Sequence, residues 1–283
     1  MSGSREDDEG YVTAKGYRIH YLERGDTGEK IVFLHGLAPI ASARNFELFY
    51  KAMSNDFHIL AFDLLGHGES DDPREPLGFE EHADIMREAA IQKGFTRYAL
   101  IGYSFGGWIS MRYAAKYPED IAKLVLVDIA PRTHEVPTPA PVDRSWPHSF
   151  KNDEDATNYI IPAFQLTDEE YWMEFWKDNM DYWLRRDDED RLHVPSHPIR
   201  KENLMYTGDG WSFLGSVSAP VLLFRGSESM LVTDEDAARM REVQEGLRVL
   251  TIQGADHTVP FTHPEEFQEA IRSFLNDEKT RSN

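Results

Sequence analysis

Residues 102–106 read Gly102-Tyr103-Ser104-Phe105-Gly106, directly after the apolar run Tyr98-Ala99-Leu100-Ile101 and directly before Gly107-Trp108-Ile109-Ser110-Met111. The flanks predict a strand entering the pentapeptide and a helix leaving it, with serine at the apex of the turn. A serine so placed projects its hydroxyl above the edge of a sheet. Gly102 and Gly106 fit the strain of that turn, where side chains would clash, and Gly107 lets the helix approach closely. The backbone N–H of Phe105 falls at the helix N-terminus, where it can meet a developing oxyanion. Ser104 is therefore the candidate nucleophile.

Outward from this turn the chain alternates strand and helix. Residues 11–24 predict an antiparallel hairpin about Gly16. Strands are expected at 31–36, 58–64, 96–103, 121–130, 219–226 and 247–254. Helices are expected at 43–53, 78–93, 105–117, 233–244 and 264–276. Such alternation implies an α/β fold, a mostly parallel sheet covered on both faces. The pattern breaks after residue 132. Five prolines lie between 131 and 148, and an aromatic, helical region follows, with Tyr159, Trp172, Trp176, Tyr182 and Trp183. Residues 133–212 read as a helical cap inserted between a first core part, 11–132, and a second, 213–277. A cap there would sit over the C-terminal edge of the sheet, where open α/β sheets bind ligands. Trp172, Trp176 and Trp183 share one helical face. Most of that face must pack on the core, and some of its rings line a pocket for an apolar or aromatic acyl group.

The 283 residues carry 30 Lys and Arg against 50 Asp and Glu, a formal net charge of −20. Such a surface repels nucleic acid and anionic membranes. There is no cysteine, so neither disulfides nor thiolate chemistry is available. No apolar run is long enough to span a membrane, and MSGSREDDEG has no apolar stretch behind it. The expectation is a cytoplasmic protein with a small-molecule substrate, no cofactor and no metal, with a homodimer as one allowed assembly.

A nucleophilic serine needs a base and a second oxyanion donor. His35-Gly36 ends the first parallel strand, and the N–H of Leu37 is the natural donor; His35 itself reads as a residue that shapes the loop. Among the late histidines, His257 in Gly254-Ala255-Asp256-His257 lies just beyond the last strand and is placed to reach Ser104. His263 reads as a helix-start residue and His197 as a cap residue that could contact substrate.

Ser104, His257 and His35-Gly36 together resemble the α/β-hydrolase fold family, whose mostly parallel sheet of eight strands is the fold this implies. The segment Asp63-Leu64-Leu65-Gly66-His67-Gly68-Glu69-Ser70 is similar to the family's stretch after the next strand. Haloalkane dehalogenases and epoxide hydrolases also resemble the chain, but use Asp at the elbow. The loop from His35 to Phe46 resembles that of meta-cleavage-product C–C hydrolases, with Leu37 and Ile40 where those tend to carry glycines. In that loop Arg44 is a candidate partner for a substrate carboxylate, or else an exposed helix arginine.

The resemblance implies a third member, a carboxylate that orients the histidine. Its commonest family place is Gly-x-x-Asp after strand 219–225. Here that loop reads Gly226-Ser227-Glu228-Ser229-Met230-Leu231, with Ser229 at the usual Asp position and Met230 one further on. Neither can serve as the acid. Glu228 is the alternative acid in the turn. The other family arrangement takes the acid from the end of the strand after the nucleophile helix, which points to Asp128. Some hydrolases of heterocyclic ring-degradation products and fungal-type resorcylic lactone hydrolases resemble the chain in this respect. The resemblance thus implies a serine hydrolase of small, partly apolar esters or lactones. The alternatives are C–C or amide hydrolysis of a ring-cleavage product, a cofactor-free dioxygenase, and a binding protein with a vestigial triad.

Overall fold

The computed structural model describes residues 8–38, 40–132, 147–163, 180–194, 204–205 and 209–277. Its main sheet is built from β1 (Asp8–Ala14), β2 (Tyr17–Arg24), β3 (Glu29–Leu34), β4 (Phe57–Phe62), β5 (Tyr98–Tyr103), β6 (Ile121–Val127), β7 (Val221–Gly226) and β8 (Arg248–Ile252). The strand order is β1-β2-β4-β3-β5-β6-β7-β8. Only β2 runs against its neighbours, pairing antiparallel with β1 and with β4. The remaining neighbours pair in parallel.

Alternation along the inner strands divides the core in two. Val32, Leu34, Leu60, Leu100, Leu126 and Leu223 face one layer. That layer includes helices α2 (Phe79–Gln92) and α3 (Phe105–Lys116). Ile31, Phe33, Ile59, Ile101, Val125 and Phe224 face the other. It is covered by α1 (Glu47–Met53) and by a C-terminal helix at Pro264–Asn276. Burial on both faces is why these strands are nearly continuous apolar runs.

After β6 comes the inserted cap. Its described part holds α4 (Asp153–Ala163) and a small antiparallel sheet in which Leu192–His193 lies between Ser149–Phe150 and Arg185–Arg186. The cap is thus helical with a small sheet added, which residue periodicity cannot reveal in strands of two residues. Phe150, Ile160, Met180, Trp183 and Leu192 form its own core, joined by Ile40 from the loop after β3. Helix α5 (Gly210–Ser216) leads back to β7, followed by α6 (Asp234–Val243), the short α7 (Val259–Thr262) and α8 (Pro264–Asn276).

Candidate active site

Ser104 stands between β5 and α3 with φ 53° and ψ −116°, a conformation L-residues rarely adopt. The surrounding packing enforces it. A Cβ on Gly106 would lie 2.3 Å from Leu34 O, and one on Gly102 would lie 2.4 Å from Ser110 Oγ. The Ser104 N–H donates to Val127 O at 3.0 Å, so the turn is tied to the end of β6.

The next residue along β6, Asp128, also has positive φ, 48°, and its N–H donates to Phe224 O at 2.8 Å. Its carboxylate is wholly buried. His257, from the loop between β8 and α7, joins the two. Its Nδ1 lies 2.7 Å from Asp128 Oδ2 and its Nε2 lies 3.0 Å from Ser104 Oγ. A carboxylate accepts, so Nδ1 carries the hydrogen and Nε2 is left to accept from the serine hydroxyl. The structure therefore brings Ser104, His257 and Asp128 into one hydrogen-bonded chain. Glu228 is exposed, while its N–H donates to Ala255 O. Asp256 instead accepts from the N–H and the hydroxyl of Thr258.

Two residues at this site were not anticipated from the sequence. The ring of Tyr103 stacks on His257 with centroids 5.0 Å apart and planes 19° apart, and its hydroxyl donates to His257 O at 3.0 Å. Ser229, at the position where the sequence lacks an acid, donates its hydroxyl to Asp128 Oδ2 at 2.5 Å.

The loop after β3 closes the other side. A Cβ on Gly36 would lie 3.2 Å from Ser104 Cβ, so the backbone leading into Leu37 runs against the serine. The Phe105 N–H is the first of α3 and has no intrahelical acceptor. His35 shapes this loop: its Nδ1–H donates to Gly36 O at 2.7 Å and its Nε2 accepts from Leu64 N at 3.0 Å. Trp108, in α3, donates to Ala130 O and is packed in the core.

Arg44 pairs with Glu9 and lies over the Tyr182 ring, 4.3 Å from its centroid. Trp172, Trp176 and His197 lie outside the described residues. Trp183 is buried, its indole N–H donating to Ser42 Oγ at 2.8 Å. Beside it Tyr182 donates to Asp63 Oδ2 at 2.5 Å. His20 Nδ1 meets the same oxygen at 2.9 Å, and Asp63 Oδ1 accepts from Ala43 N at 2.7 Å. Burial works against both charges of the His20–Asp63 pair. Burial is the largest single influence on each, but their mutual hydrogen bond and the attraction of neighbouring charges together outweigh it, so the histidine is raised and the carboxyl lowered from their ordinary values. The cap is thus moored to the loop that follows β3. A cavity of about 820 Å³ opens along this seam, lined by Tyr11, Arg18, Glu69, Tyr182 and His193 among others. Neither Ser104 nor His257 lines it, so it is distinct from their hydrogen-bonded chain. Among the described residues, no group of three His, Cys, Asp or Glu could hold a metal ion, and no helix is long and apolar enough to cross a membrane.

Residues 30–264 match the α/β-hydrolase fold family, and the chain belongs to it. It is 26% identical over 270 residues to N-formylmaleamate deformylase of Pseudomonas putida, covering 94% of this chain and 96% of that protein. It is also 26% identical over 281 residues to 2-(acetamidomethylene)succinate hydrolase of Mesorhizobium japonicum, covering 96% and 95%. A crystal structure of an E-2-(acetamidomethylene)succinate hydrolase superposes with a TM-score of 0.82 at 23% identity, covering 96% of this chain and 100% of that one. Fold and relatives are those of a hydrolase.

Proposed function

We propose that the protein is a serine hydrolase that cleaves a small, partly apolar ester or lactone through an acyl-enzyme. The observation that carries this reading is the continuous chain from Ser104 Oγ through the His257 ring to the buried carboxylate of Asp128. Ser104 attacks the acyl carbon as its proton passes to His257 Nε2. Asp128 holds the ring in the tautomer that can accept that proton and stabilises the imidazolium that results. Charge developing on the acyl oxygen meets the N–H groups of Phe105 and Leu37, each worth roughly 10²–10³ in rate in such sites. His257 then returns the proton to the leaving group, and a water activated by the same ring releases the acid. In this reading the inserted cap supplies the apolar part of the acyl pocket. A burst of phenolate from p-nitrophenyl esters, stoichiometric with enzyme and absent in Ser104→Ala, tests the acyl-enzyme; steady turnover by Ser104→Ala refutes it.

A second reading is amide hydrolysis of a ring-cleavage product. It is supported by the two full-length relatives, whose names both describe an acyl group carried on nitrogen. The same residues serve, with His257 protonating a departing nitrogen. Comparing kcat/KM across esters, lactones, N-formyl and N-acetyl amides and vinylogous diketo acids separates the two.

A further inference from the structure

The loop after β7 holds serine where a carboxylate might stand, and that serine is engaged with the acid that stands elsewhere. Ser229 is 8% exposed, and its Oγ lies 2.5 Å from Asp128 Oδ2, the oxygen that also meets His257 Nδ1. Ser229 Oγ in turn accepts from Leu231 N at 3.1 Å and Val232 N at 3.3 Å. A hydroxyl has two lone pairs and one hydrogen. With the lone pairs met by two backbone N–H groups, the hydrogen is left for Asp128. The other carboxylate oxygen accepts from Gly226 N at 3.1 Å. Among the described residues no Lys or Arg pairs with Asp128, so its charge is held by His257, Gly226 and Ser229.

The loop that delivers two of these three donors is itself tied down. Arg225 is buried, donates through Nε to Gly226 O at 3.1 Å, and pairs with Asp234 at 2.9 Å across the loop. Glu228 and Met230, on either side of Ser229, point outward, with Met230 83% exposed. Of Glu228, Ser229 and Met230, only Ser229 is buried, and it is the one that meets the acid.

We propose that Ser229 is a positioning residue for the hydrolytic chemistry, fixing the Asp128 carboxylate in the orientation from which it holds His257. The inference rests on the reading under Proposed function. It has no counterpart in a site whose acid comes from this loop, because there the loop residue would be the acid. Here the loop keeps its place at the site and contributes a donor instead.

The test combines kinetics with the low-field proton resonance of His257 Nδ1–H, which reports on the Asp128 hydrogen bond whether or not substrate turns over. In Ser229→Ala, kcat is expected to fall about 10-fold, the loss typical of one hydrogen bond to a charged group, with KM little changed. The resonance is expected to move, and Ser229→Thr, which keeps the hydroxyl, is expected to restore both. A wild-type kcat and an unmoved resonance in folded Ser229→Ala overturn the proposal. Should that variant fail to fold, Ser229→Cys keeps the volume with a weaker donor. A lower kcat in it supports the role, and an unchanged kcat refutes it. Ser104→Ala, assayed alongside, separates the two claims. Persisting turnover there overturns the serine-hydrolase reading, while the resonance in Ser229→Ala still judges the positioning role.

Discussion

Asp128 Oδ2 lies 2.7 Å from His257 Nδ1, and Asp128 is wholly buried just past the end of β6, the strand beside the one that leads into Ser104. Exposed Glu228 makes no such contact among the described residues. Asp128→Asn is therefore expected to lower kcat by at least ~10²-fold, because the amide favours the wrong tautomer of the ring. Glu228→Gln is expected to leave kcat within about 2-fold, as a surface substitution distant from the hydrogen-bonded chain. Side-by-side kinetics decide the matter, and equal losses in the two variants would remove Asp128 from the mechanism.

Acid should weaken the fold through His82. This imidazole is buried in α2 against Phe105, with ring centroids 5.7 Å apart, and its Nδ1 has no hydrogen-bond partner among the described residues. Burial pushes its pKa down to about 4 from 6.5. The unfolded chain binds this proton first, so the associated stability is complete above pH ~6.5 and is lost as pH falls toward ~4, roughly 3 kcal/mol in all. Chemical denaturation across that window should show the slope in the wild type and a smaller one in His82→Leu. An unaltered slope would assign the acid sensitivity to other groups.

The mooring of the cap should be measurable as stability. Tyr182→Phe removes a donor to a carboxylate that has no access to water, at a cost of about 1–3 kcal/mol. Because Asp63 also accepts from Ala43 N in the loop after β3, activity should fall together with stability. Urea denaturation and esterase assays on one preparation test this. A variant as stable as wild type would show that His20 and the N–H groups of Ala43 and Glu69 suffice to hold Asp63.

The elbow glycines admit no side chain. A Cβ on Gly106 would stand 2.3 Å from Leu34 O and 2.5 Å from His35 O, both backbone atoms that cannot turn aside. Gly106→Ala is expected to cost about 3 kcal/mol or more, as a severe overpacking change, and to displace the loop bearing Leu37. Thermal melts check the first effect. A melt within a degree or two of wild type would mean that the loop yields without strain.

Much of this architecture was legible because the inner strands are buried on both faces and so read as short apolar runs. Their ends were less legible. The sequence predicts strands over 58–64 and 121–130, whereas β4 ends at Phe62 and β6 at Val127. Leu64, Leu65, Ile129 and Ala130 remain buried beyond those ends, so apolarity outlasts the ladder. Short α7 went unanticipated because a four-residue turn carrying Pro260 has no periodicity to read. Arg44 read as a substrate contact or an exposed residue, since neither Glu9 nor Tyr182 is its neighbour in sequence; the pairing exists only after β1 and the cap have assembled.

The site was legible where residue type dictates chemistry and opaque where it does not. A serine between flanking glycines, and a histidine after the last strand, announce themselves. Ser229 stands where the usual acid is missing, and residue type alone does not say what its hydroxyl meets. Its local bonds to the N–H groups of Leu231 and Val232 form a serine turn just ahead of the Thr233 helix cap, a pattern a sequence can suggest. Its partner Asp128, 101 residues earlier, is fixed only by the pairing of β6 with β7. Tyr103 occupies a position of the elbow that the motif leaves free, and its stacking on His257 depends on how the loop after β8 returns.

Ser104 is the proposed nucleophile, and a fluorophosphonate probe tests that role most directly. Intact mass and peptide mapping of the treated protein should show a single adduct, on Ser104, that is absent from Ser104→Ala and diminished in His257→Gln. Undiminished labelling of Ser104→Ala, mapped to another residue, would contradict the account.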